Sequence, residues 1–62
     1  MEMSTRDKLM KKLLDAQENV RDYEMFSKQV DNEEVDSIFK IFAEESGMHA
    51  RQLKELMDRY EE

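Results

Sequence analysis

The chain has no cysteine, no proline, no tryptophan and a single glycine. Without cysteine it can form neither a disulfide nor a thiolate metal site, which removes two common supports of very small domains. Without proline, and with Gly47 as its only glycine, it has almost nothing that breaks a helix. No apolar run approaches the roughly 18 residues of a membrane-spanning helix. Residues 1–10 are too polar for the apolar stretch of a signal peptide. Lys and Arg number 10 against 16 Asp and Glu, for a net charge of −6. That is the wrong sign for the basic footprint of nucleic-acid binding or for holding to an anionic membrane. No glycine-rich phosphate loop is present, and a single histidine offers no Ser–His–Asp set. The expectation is a cytoplasmic chain that binds neither nucleic acid nor membrane and is not an enzyme.

What is present favours helix. The chain is 42% charged and 39% hydrophobic, rich in Glu, Lys, Met and Leu, all good helix formers. Sixty-two residues make one domain, 1–62. A chain this short buries a smaller share of its surface than a larger domain does. The supports that remain open to it are a bound metal or self-association.

Ser4 is a favoured N-cap, and Asp7 follows near the positive end of the helix dipole. From there Leu9, Leu13, Ala16, Val20, Tyr23, Phe26 and Val30 recur at spacings of three and four, which predicts an amphipathic first helix over about 5–30. Met10 and Leu14 widen its apolar face. A break follows at Asp31-Asn32-Glu33-Glu34, where Asp31 and Asn32 are both favoured N-caps and Asp31 and Glu34 have the spacing of a capping box. The second helix is expected over about 33–60. Val35, Phe42, His49 and Leu56 recur in it every seven residues, with Ile38, Phe39, Leu53, Met57 and Tyr60 beside them. This reads as the main seam of a long bundle helix. Ala43, Gly47 and Ala50 form a second stripe of small residues, open to close approach by another backbone. One unbroken rod is the competing reading, but the apolar phase shifts across 30–35.

Two helices of similar length joined by so short a connection lie antiparallel. Ala16 is then expected level with Ser46, Tyr23 with Phe39, and Leu9 with Leu53. One seam cannot cover every large apolar side chain, each of which stabilises by roughly 1.5–3 kcal/mol when fully buried. The expected architecture is therefore all-α: an antiparallel two-helix hairpin that dimerises into a four-helix bundle with two-fold symmetry. Leu9, Leu13, Ala16, Val20, Tyr23, Val35, Phe39, Phe42, Ala43, Gly47, Ala50, Leu53, Leu56 and Met57 are expected to form the core and the dimer contacts.

The runs DYEMF at 22–26, EEV at 33–35 and above all IFKIFAEESGMHARQL at 38–53 resemble a half-repeat of the ferritin-like superfamily, closest to rubrerythrin-type proteins. The resemblance implies a four-helix bundle made of two such halves. It also implies a ligand carboxylate seven residues before Tyr23 and a Glu three residues before His49. Those positions hold Ala16 and Ser46, so of the implied ligands only His49 remains. The expectation is a homodimeric structural or interaction module without an intact di-iron site and without a cofactor. It would act through self-association or an unidentified protein partner, with the widened apolar end near Met10, Leu14 and Met57 as the candidate contact. The alternative is a rubrerythrin-like metal-binding or redox protein that uses Glu45 and His49 across the dimer to hold iron or zinc. In the structural reading, His49 is a partly buried seam histidine.

Overall fold

Ser4 sets where the first helix begins. In the computed structural model, which describes residues 2–60, the Ser4 backbone is extended and its Oγ accepts the Asp7 N–H at 3.0 Å. The Asp7 carboxylate in turn accepts the Ser4 N–H at 3.2 Å. This reciprocal pair satisfies two donors that a helix start leaves open. Helix α1 spans Thr5–Ser27. Met1, Glu61 and Glu62, at the ends of the expected 1–62 domain, lie outside the described residues.

Helix α1 stops short of the expected residue 30. The Ser27 hydroxyl donates to the Glu24 carbonyl at 2.8 Å, a bond that competes with the helix's own ladder. The Gln29 and Val30 N–H groups then both donate to the Phe26 carbonyl, at 3.0 and 3.1 Å. Val30 thus belongs to the connection, half-buried, and not to the helical stripe. Helix α2 spans Glu33–Arg59, with Tyr60 as its C-cap. Its N-cap is Asn32, whose side chain accepts the Val35 N–H at 3.0 Å. The expected Asp31–Glu34 capping box does not form that cap. Capping from Asn32 leaves Glu33, Glu34 and Asp36 in the first turn and Arg59 in the last, each sign where the helix dipole favours it.

The two helices form a single antiparallel hairpin with no strand among the described residues. Leu13, Ala16 and Ser27 of α1 are buried, as are Ala43, Ser46 and Met57 of α2. Leu9, Val20 and Tyr23, and opposite them Phe39, Gly47, Ala50 and Leu53, are half-buried. On both helices these positions alternate by four and three, the spacing of a coiled-coil seam. The stripe of small residues in α2 is therefore the inter-helix seam. Val35, Phe42, His49 and Leu56, expected as the main seam, flank it: Val35 is half-buried and the other three are exposed. The physical reason is close packing. Ala16 on one helix and Ala43, Ser46, Gly47 and Ala50 on the other let the axes approach along most of their length. The large rings gather near the connection, where Tyr23 packs on Phe39 with ring centroids 5.4 Å apart and on Phe42 at 5.5 Å. These tilted and edge-on arrangements are favoured ones.

Gly47 faces Val20, and a Cβ added to Gly47 would sit 3.9 Å from Val20 Cγ2. That contact puts Ser46 near the level of Val20, about one turn from the expected pairing with Ala16. The same distance is ordinary van der Waals contact, so the hairpin does not require glycine for close approach at this position. Gly47→Ala should stabilise the protein by roughly 0.5–1 kcal/mol, because a mid-helix glycine costs about that much relative to alanine. The midpoint of chemical denaturation should rise accordingly, and a fall would mean that something outside the hairpin occupies the space beside Gly47.

Candidate functional site

Away from the seam, α2 carries a second apolar stripe. Ile38, Ile41, Phe42, Met48 and Leu56 are 39%, 52%, 40%, 54% and 44% exposed. They recur by three, four and seven along the helix, so they share its outer side. Glu45, His49 and Gln52 lie at the middle of the same stripe and are exposed. Within the single hairpin the His49 imidazole stands exposed on the outer face of α2 and not in the expected inter-helix seam. Ser46, three residues before His49, is buried in the seam.

Glu45 and His49 are one turn apart on that face, near enough to act on a common group. Among the described residues, no three His, Cys, Asp or Glu side chains come together to hold a metal ion. Ala16 and Ser46, the positions where the resemblance implies ligand carboxylates, are both buried in the apolar seam. A metal held by Glu45 and His49 would need further ligands from a second chain.

The opposite side of the hairpin differs in character. There Glu24, Ser27 and Lys28 of α1 and its connection meet Lys40, Ala43 and Glu44 of α2 around an open groove of about 460 Å³. Acidic and basic groups alternate around it, so it presents no field of one sign. Leu14, 55% exposed, and Met10 lie on α1 outside the seam. Met57, expected with them at a widened apolar end, is only 5% exposed and belongs to the hairpin's own core.

Surface ion pairs run along single helices, as in Lys40–Asp36 at 3.3 Å and Lys54–Asp58 at 3.6 Å. Asp15 accepts from Lys11 Nζ at 3.2 Å and from Lys12 Nζ at 3.4 Å. Hydrogen bonds from Lys11 first, and then from Lys12, hold its carboxyl below the usual carboxylate range. A folded-state pKa below the unfolded one means that the contribution is present above the ordinary Asp range and is lost as pH falls through the lowered value. An NMR titration should place the Asp15 midpoint below that of a reference aspartate. Lys11→Met with Lys12→Met should move it back up.

The arrangement defines a class of protein: an acidic two-helix hairpin with one outer helix face left apolar. No helix among the described residues is long and apolar enough to cross a membrane. No family model matches the chain, and neither a curated protein nor a solved structure matches it. The ferritin-like resemblance thus rests on the chain's own residues.

The outer face is only partly legible in the sequence. Its seven-residue recurrence is plain there, but it reads as the inter-helix seam. Ile41 does not stand out in that reading, although its spacing from Ile38 and Met48 carries the signal.

Proposed function

We propose that this chain is a structural assembly module, in which two hairpins associate through the outer faces of α2 into a four-helix bundle. It resembles a ferritin-like half whose ligand carboxylates are replaced by Ala16 and Ser46. Its role is to hold a fold together or present it to another protein, without catalysis. The observation that carries this reading is the outer stripe of α2, apolar at both ends and open to solvent.

Surface area supports it. The chain exposes 5215 Å², whereas a compact monomer of 7.5 kDa exposes about 4,200 Å². The excess of roughly 1,000 Å² compares with the ~800 Å² that each partner of a standard interface buries. The hairpin measures 46 × 23 × 12 Å with a radius of gyration of 14.3 Å, against about 11 Å for a compact chain of this length. No large side chain among the described residues is fully buried. A single layer 12 Å thick leaves its core side chains wet on at least one edge, and a second layer removes that water.

Sedimentation velocity across the micromolar range tests the reading. The expected species has twice the 7.5 kDa chain mass, and its melting temperature rises with concentration. A folded monomer with a cooperative, concentration-independent melt would overturn it. Stoichiometric metal in protein purified without chelator, lost in His49→Ala, would replace it with a metal-binding role for Glu45 and His49.

A further inference from the structure

Resting on the self-association just proposed, we infer the geometry of the pair: a second copy of this chain packs antiparallel along α2, about a two-fold axis at the level of Gly47. The axis sets Glu45 against the partner's His49, and His49 against the partner's Glu45. Ile38 then meets the partner's Leu56, and Phe42 lies over the partner's Gln52.

Three observations lead to this arrangement. The first is the order of residues on the outer face. Read from either end towards Gly47, the line of residues nearest the axis runs from an aliphatic residue (Ile38 or Leu56), through Phe42 or Gln52, to Glu45 or His49, with the exposed Ile41 and Met48 on its far edge. Rotation by 180° therefore brings apolar onto apolar at the two ends and acid onto imidazole beside the axis, with the Phe42 ring over the Gln52 side chain between them, the self-complementarity that a two-fold interface needs. The second is what the other pairings would do. A parallel α2 pair sets the Glu45 carboxylate on the partner's Glu45 carboxylate, and like charges opposed across an interface are disfavoured. Packing α2 on the partner's α1 offers it a polar strip instead. The α1 positions on the Phe42 side of the seam are Lys12, Asp15, Asn19 and Asp22, polar until Phe26 at the end next to the connection, which is 42% exposed, and Asp15 is already held by two lysines. The third is length. Helix α2, Glu33–Arg59, has its midpoint close to Gly47, so this register keeps nearly the whole helix in contact. Antiparallel helices also oppose their dipoles favourably.

The absence of cysteine makes the geometry directly measurable. Ile38→Cys and Leu56→Cys are introduced singly at these exposed positions, and each variant is checked for helix content and for dimer mass. In a glutathione redox buffer, a mixture of the two should yield a disulfide-linked heterodimer in preference to either homodimer. The two copies of residue 38 stand about 27 Å apart in this register, at 1.5 Å per residue, whereas a disulfide needs Cα atoms within about 7 Å. A second pair, Glu45→Cys mixed with His49→Cys, should also cross-link, but with a weaker preference, because the two copies of residue 45 stand only about 6 Å apart along the axis in this register. Preferential linkage of two Ile38→Cys chains to each other overturns the antiparallel pairing, as does a dimer in which neither mixture links. Loss of dimer mass in the unmutated chain would instead remove the self-association on which the geometry rests.

Discussion

Phe42→Asp should convert a folded dimer into largely unfolded monomer at micromolar concentration. Within one hairpin the Phe42 ring packs beside the seam, edge-on to Tyr23 at 5.5 Å, and it stays 40% exposed. That contact alone is worth about 0.5–1.5 kcal/mol. In the proposed bundle the ring is covered, and symmetry counts it twice. Losing roughly 1.5–3 kcal/mol for each ring, and adding two carboxylates to a drying interface, removes an amount comparable to the ~5–15 kcal/mol of a whole domain. The hairpin left behind has no fully buried large side chain among the described residues, so dissociation and unfolding should coincide. Circular dichroism at the helical minimum and sedimentation of the same sample check this. Met10→Asp, on the exposed surface of α1, should leave both readings near those of the parent. A Phe42→Asp protein that keeps its helix content and dimer mass would show that the outer face of α2 is not the interface.

Leu13→Ala should cost about 2–4 kcal/mol, while Leu14→Ala, one residue further on, should cost under about 1 kcal/mol. The two leucines differ only in their direction from the helix axis. Leu13 points into the seam and is 8% exposed, whereas Leu14 is 55% exposed. Truncating Leu13 removes transfer energy and leaves a void between helices already drawn together by small residues, so the site cannot readily collapse. Denaturant melts of the two variants at equal chain concentration give the comparison. If Leu14→Ala proved as costly as Leu13→Ala, the second copy would be covering the Met10–Leu14 side of the hairpin, away from the outer stripe of α2.

Helical identity is written in the chain itself. A composition rich in Glu, Lys, Leu and Met without proline favours helix at nearly every position, and the spacing of Leu9, Leu13, Ala16, Val20 and Tyr23 already traces the buried side of α1. The start at Ser4 and the restart near Asn32 are legible too, because capping chemistry depends on residues only a few positions apart. The end of α1 is less so. Nothing local marks Ser27 as a terminus, and its hydroxyl bond to Glu24 becomes visible only once the turn has formed.

The direction faced by α2 cannot be read in the same way, since that helix carries two stripes, each with the period of a seam. One is made of small residues broken by Phe39, Leu53 and Met57; the other is larger and more apolar at its ends. Hydrophobicity alone favours the larger stripe as the seam. The packed hairpin chooses the smaller one because two backbones can approach closely only where Ala, Ser and Gly line up, and close approach multiplies contacts along the whole seam. Local pattern therefore decided that there are two helices and where they are capped. Tertiary packing decided which side of α2 turns inward, and so left Ile38, Phe42, Glu45, His49 and Leu56 as the surface open to a partner.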